Sequence, residues 1–133
     1  MQRISVRTTS REQMLPILRQ LADTVRERGW QDGLLLVHCP HTTAAVTINE
    51  SADPDVRTDI SRFMHDMVPP DSDFRHAEGN SDAHIKSSLF GQQTLLIVQN
   101  GQIRLGVWQE VYFCEWDGPR NRELWLIFTP DDD

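Results

Sequence analysis

Hydrophobic and polar side chains alternate from Gln2 to Thr9, with Ile4 and Val6 on one side and Arg3, Ser5 and Arg7 on the other, the period of a half-buried strand. After Ser10 the period lengthens. Met14, Leu15, Leu18, Leu21, Ala22 and Val25 recur at helical spacing up to Gly29. This predicts a helix beginning near Ser10, with Ser10 and Gln13 in capping-box positions and a late start or a kink at Pro16. Asp32-Gly33 marks a turn, and Leu34-Leu35-Leu36-Val37-His38-Cys39 is a continuous apolar run suited to a central strand. Alternation along it puts Cys39 and His41 on one face and His38 on the other. Ala44 to Glu50, rich in β-branched residues, reads as a further strand.

Asp53-Pro54 supplies a capping acceptor and a proline at the first helical position. The helix it starts has an apolar stripe of Val56, Ile60, Phe63, Met64 and Met67 and ends before Pro69-Pro70. A polar loop runs to Asn80. Next comes a short helix from about Asp82 to Phe90, capped by Asn80 or Ser81 and closed by Gly91 in the left-handed conformation, with Ile85 and Leu89 toward the core. Asp82 with Lys86, and His84 with Ser88, are four apart and share faces. Gln92 to Gln99 and Gln102 to Trp116 flank Asn100-Gly101, a hairpin signal, and Gly106 marks a bulge or a close backbone approach in the second run. After a turn at Asp117-Gly118-Pro119-Arg120, Glu123 to Thr129 forms a last strand, apolar enough to be buried on both faces. The order predicts a single α+β domain over residues 1–133, an antiparallel β-sheet sandwich with helices packed on it.

A net charge of −7 argues against broad nucleic-acid binding, which needs a basic face, and any anionic ligand has to be held locally. No apolar run reaches the ~20 residues of a membrane span, and the first residues lack a signal-peptide core, so no membrane partner and a cytoplasmic setting are expected. Cys39 and Cys114 form no disulfide framework and are expected to be buried free thiols, with Cys39 not a nucleophile. Asp131-Asp132-Asp133 reads as a solvated tail.

The chemistry is concentrated between His76 and Gly91, which holds two histidines, acids, and Lys86, the only lysine in the chain. Other polar groups lie at strand ends: His41 with Asn49 and Glu50, and Glu115 with Asp117 and Arg120. Three histidines near carboxylates could form an open site for a divalent metal, leaving a position for water or substrate, although their spacing is not a zinc signature and separate surface histidines fit it as well. Lys86 and Arg120 are candidate anion clamps, with surface salt bridges as the plainer account. Trp108, Trp116 and Trp125 read as core or interface anchors before stacking platforms. There is no Walker-type phosphate loop and no nucleophile elbow.

His41-Thr-Thr-Ala-Ala with Ile48-Asn-Glu50, Gly79-Asn-Ser-Asp-Ala-His84-Ile-Lys86, Ser88-Leu-Phe-Gly91, Leu105-Gly-Val-Trp-Gln109 and Glu115-Trp-Asp-Gly-Pro-Arg120 together resemble the YjbQ-like family of secondary thiamine-phosphate synthases. The likeness runs from roughly Ser10 to Phe128. It implies a small α+β homotrimer with thiamine-phosphate synthase activity and a cleft at or near the subunit interface. It also implies that His41, His76 and His84 converge on a metal, zinc or magnesium, or on an anionic ligand. By the same resemblance His84, Lys86, Glu50, Glu115 and Arg120 are candidate catalytic residues, and Asn49, Asn80, Gln109 and Asp117 candidate substrate contacts. Val107 departs from the family's usual threonine. The implied reaction joins a pyrimidine pyrophosphate, held by Lys86, Arg120 and a divalent metal, to a thiazole phosphate, with Glu50 or Glu115 stabilising the transient cation. Its competitors are a metal-dependent hydrolase and a non-catalytic trimer that binds a phosphorylated metabolite.

Overall fold

The computed structural model describes residues 1–131. Asp132 and Asp133 of the expected acidic tail lie outside the described residues; within them, the Asp131 N–H donates to the Asp32 carbonyl oxygen. The chain runs β1 (Gln2–Arg7), β2 (Gln13–Pro16), α1 (Leu18–Arg28), β3 (Gly33–His38), β4 (Ala44–Glu50), α2 (Pro54–Met67), α3 (Ser81–Phe90), β5 (Gln93–Gln99), β6 (Gln102–Arg104), β7 (Gln109–Glu115) and β8 (Asn121–Pro130). All strand pairs are antiparallel, in a five-stranded sheet ordered β1-β8-β3-β5-β6 and a three-stranded sheet ordered β2-β7-β4.

The inner faces of the two sheets share one core. Leu35, Val37, Leu96, Val98, Leu124 and Leu126 of the larger sheet pack with Ala44, Val46, Val111 and Phe113 of the smaller and with Ile17, Leu21 and Val25 at α1. On its other face the small sheet carries Ala45, Tyr112 and Cys114, which pack with Met64 of α2, Ala83 of α3 and Trp116. So β4 and β7 are covered on both sides, by strands and by helices.

The first half of the expected long helix is strand β2. Pro16 cannot donate to a helical ladder, but β2 is an edge strand, where a missing N–H costs nothing. Ser10 and Gln13 do not cap a helix: Gln13 exchanges side-chain hydrogen bonds with Thr9, and Ser10 donates to the Glu12 carbonyl. α1 therefore begins at Leu18, whose N–H is received by the Glu110 carboxylate of β7, a cap from distant sequence. Gly29 ends it in the left-handed region, as its position suggested.

The run from Gln102 to Trp116 is not one strand. After Arg104 the chain leaves the large sheet and re-enters the small one at Gln109, and Gly106 lies in that corner, its N–H bound by the Gln109 amide oxygen at 2.8 Å. The Asn100-Gly101 hairpin holds, with φ of 52° and 73°, the signature of a tight primed turn. Gly91 also has positive φ, but φ 103°, ψ 160° lies outside the left-handed helical region, in a conformation that favours glycine. β8 is buried on one face only: Leu124 and Leu126 point into the core, while Ile127 is exposed. On α2 Met64 is buried and Ile60 packs beside it, whereas Phe63 and Met67 face outward.

Leu35 is fully buried on a central strand, so Leu35→Ala should lower unfolding free energy by about 2–5 kcal/mol. A urea titration checks this; a midpoint equal to wild type would contradict the described core.

Candidate functional site

β3 ends at His38, and the following turn, Cys39-Pro40-His41-Thr42, carries the chain from the large sheet toward β4 of the small one. Gln92 fixes this turn: its carbonyl accepts the Cys39 N–H at 2.7 Å, and its amide nitrogen, turned inward, reaches the Cys39 and His41 carbonyls at 2.9 and 2.6 Å. The turn faces α3 across a cleft of about 590 Å³, lined by His38, His41, His84, Ser88 and Trp125 among others. The strand's alternation does not continue through the turn, so His38 and His41 share this cleft instead of opposite faces. His38 Nδ1 is 2.9 Å from the Gln93 amide nitrogen, and its ring centre is 5.5 Å from that of Trp125.

His41 Nε2 lies 3.1 Å from both the N–H and the carbonyl oxygen of Glu123, so the neutral ring accepts from the first or donates to the second. Burial first, and the nearby Arg122 charge second, hold the His41 imidazole below its ordinary pKa. His84 and Ser88 occupy one face of α3, one turn apart. The His76 ring stands edge-on to His84 with centres 5.5 Å apart, and His76 Nδ1 is 3.0 Å from Ser81 Oγ. His41 and His84 thus meet one cleft and His76 backs His84. Yet among the described residues no three His, Cys, Asp or Glu side chains are close enough together to hold a metal ion. Within one chain, and among the described residues, His41, His76 and His84 are therefore not gathered into a single ligand set.

Behind the cleft lie two buried charge clusters. Lys86 is fully buried, and its Nζ donates to Asp82 and to Glu12 at 2.8 Å each. Arg11 closes on Asp82 with two bonds of 3.1 and 3.2 Å. Burial pushes the Asp82 carboxyl up, but Arg11 and Lys86 together outweigh it and keep it below the ordinary carboxylate value. On the opposite face of the small sheet, fully buried Glu115 accepts from Arg122 Nε and Thr8 Oγ at 2.8 Å each, and Arg122 also reaches Thr43 Oγ. Lys86 and Glu115 are therefore not at the cleft surface as expected of a clamp and a cation stabiliser. Their charged atoms are already paired inside the protein.

Asn80 sits at the N-terminus of α3 but leaves the helix uncapped; its Nδ2 donates to Asp117, which also receives Arg120 at 2.9 Å. The Asn80 Oδ1, Ser87 Oγ and Trp116 Nε1 atoms are buried without a hydrogen-bond partner among the described residues. Asn49, Glu50 and Gln109 lie elsewhere. Glu50 pairs with Gln109 at one end of the β4–β7 ladder and Ala44 with Glu115 at the other, six residues or roughly 20 Å away. Both cysteines are free and buried, and burial raises the Cys39 thiol to about 11, leaving it unreactive at neutral pH.

Sequence reasoning missed Arg11, Glu12 and Arg122, whereas the shared face of His84 and Ser88 was legible. Only Arg122 carried a signal: it has the same parity on β8 as the inward Leu124 and Leu126, where an arginine needs a buried partner.

These features define a class, a two-sheet α+β domain with a histidine-lined cleft between a strand-end turn and a charge-docked helix. The chain belongs to the YjbQ-like family: the model described as UPF0047 protein YjbQ-like matches residues 2–131. It is 45% identical over 124 residues to the UPF0047 protein YugU of Bacillus subtilis, covering 92% of this chain and 94% of that one. A UPF0047 protein of Methanocaldococcus jannaschii is 43% identical over 126 residues, covering 95% and 91%. The crystal structure of a YjbQ/UPF0047 family protein from Clostridium acetobutylicum superposes with a TM-score of 0.93 at 43% identity, over 97% of this chain and 100% of that one.

Lys86→Met leaves Asp82 buried without its ammonium partner and should cost about 3–5 kcal/mol, whereas Arg120→Ala breaks a half-exposed pair and should cost less than about 1 kcal/mol. Chemical denaturation of the two variants side by side reads the contrast.

The depressed His41 pKa carries its own sign. The unfolded chain takes up a proton on this residue near pH ~6.5, before the folded one does, so folding stability falls as pH drops below that value. Between about pH 7 and pH 5 the wild type should lose more stability than His41→Gln, measured as the change in denaturation midpoint.

Proposed function

We infer that the cleft between the His41 turn and α3 binds a small phosphorylated substrate, and that the chain is a transferase of the thiamine-phosphate synthase type. The observation that carries this reading is the meeting of His41 and His84 across one cleft of about 590 Å³, a size suited to a metabolite. In the reaction a pyrimidine methylene loses its C–O bond to pyrophosphate and gains a C–N bond to the thiazole nitrogen. The charge that develops is on the departing pyrophosphate, and donors placed around it lower the barrier. When Nε2 of neutral His41 accepts from the Glu123 N–H, the ring proton is on Nδ1, a donor with no protein partner among the described residues. His84, half-buried at the cleft wall, is the second donor. Trp125 offers a planar apolar wall for a heterocycle.

A homotrimer belongs to the same proposal. Leu34, Leu95, Ile97 and Ile127 are each about half or more exposed, and the register sets them together on the outer face of the large sheet, Leu34 beside Ile97 and Leu36 beside both Leu95 and Ile127. An apolar sheet face of this kind is suited to burial against another copy. A neighbouring copy would also be the source of any contact from Asn49, Glu50 and Gln109, which are remote from the cleft in their own chain.

The test is incubation of purified protein with magnesium, the pyrimidine pyrophosphate and the thiazole phosphate, followed by mass spectrometry, with His84→Ala alongside. Thiamine phosphate that disappears in the variant is the expected result. Pyrophosphate cleavage without the coupled product would favour hydrolysis, and binding of either substrate without turnover a non-catalytic role.

A further inference from the structure

α3 is docked by charge where most helices are docked by an apolar stripe. Its buried residues are Asp82, Ala83, Lys86 and Ser87, whereas Ile85 and Leu89 face outward, opposite to what their hydrophobicity suggests. Apolar contact is non-directional, and α3 offers only Ala83 in its middle and Phe90 at its last residue, edge-on to Trp116. Charge-assisted hydrogen bonds are short and directional, and here they are the contacts that fix the helix about its own axis. Lys86 Nζ is held between Asp82 and Glu12 at 2.8 Å each, and lies 5.8 Å from the centre of the Trp116 ring. Arg11 grips Asp82 from outside, and His65 of α2 places Nδ1 at 3.2 Å from both Glu12 oxygens. The network joins α3 to the segment entering β2 and to α2.

His84 lies two residues from both Asp82 and Lys86, about 200° around the helix from each. It and Ser88, one turn on, therefore face the cleft when Asp82 and Lys86 face inward. No hydrogen bond to the His84 ring is present among the described residues; its ring neighbour is His76. The direction of the imidazole is thus inherited from the rotation of α3.

We propose that Lys86, clamped between Asp82 and Glu12, is a positioning residue for His84: the buried ammonium sets the rotation of α3 and so aims the imidazole into the cleft. Its consequence for turnover rests on the reading of the cleft as a substrate site, but the position of the ring does not. Apolar replacement of a buried ion pair can keep a fold while removing its directional constraint, which separates positioning from stability.

The test compares the wild-type chain with Asp82→Leu/Lys86→Met by NMR of the histidine ring protons, without substrate, and by kinetics with the two phosphorylated substrates. With circular dichroism and thermal midpoint near wild type, the His84 signal should shift and broaden and its contact with the His76 ring should weaken, while His38 on β3 is unmoved. kcat should fall about tenfold or more, with KM changed much less. A folded double variant whose His84 signal and His76 contact match wild type overturns the proposal. Should that variant not fold, Glu12→Gln, which removes one of the two anions at a partly exposed position, is read in the same way; an unmoved His84 signal again overturns it. Absence of turnover in the wild type would remove the proposed reaction and leave the NMR result standing, so the two failures are distinguishable.

Discussion

The constraint on which the site depends is that Lys86 and Asp82 are buried together. A lone ammonium or carboxylate in that position would be intolerable, since each loses its hydration on entering the interior. Asp82 is placed four residues before Lys86 on the same face of α3, so the pair forms within the helix itself, and Glu12 and Arg11 complete it from the segment that leads into β2. The helix can be seated only where all four groups meet. That fixes the wall of the cleft on which His84 and Ser88 stand.

The small sheet makes this arrangement possible. Because β4 and β7 are covered on both faces, the end of β7 presents charge to one side and the next residue an aromatic ring to the other: Glu115 pairs with Arg122 between the sheets, and Trp116, just past the strand, lies beneath Lys86 and Phe90. Glu115 also accepts the Asp117 N–H and the Thr8 hydroxyl, which ties the turn after β7 to the end of β1. Two ion clusters on opposite faces of one strand pair hold the same end of the molecule, and the cleft opens at that end. The far end of the ladder, with Asn49, Glu50 and Gln109, is a separate region in a single chain.

Much of the fold was legible because its signals are local. β4, the start of α2 at Asp53-Pro54, the Asn100-Gly101 hairpin and the glycine after α1 follow from backbone chemistry within a few residues, and the structure has them where the pattern put them. The failures share another cause. Met14 and Leu15 fit a helix and a strand equally; β7 decided for a strand by offering Gln13–Pro16 a ladder, and Glu110 then capped the shortened helix. The run through Gly106 has strand composition throughout, and its break comes from passing between two sheets, which period cannot reveal.

The histidine and motif positions, the α+β class and the family were in the amino-acid order itself, since each rests on residue identity and short-range spacing. Which of those residues face one another was decided only by tertiary structure. His38 joined His41 because a turn reversed its direction, and Lys86 moved from an expected clamp at the surface to the interior. Ile85 and Leu89 exchanged faces with Asp82 and Lys86. The physical reason is the same each time: the cost of burying a charge depends on its partners, and Glu12 lies 74 residues from Lys86 in the chain but 2.8 Å away in the fold.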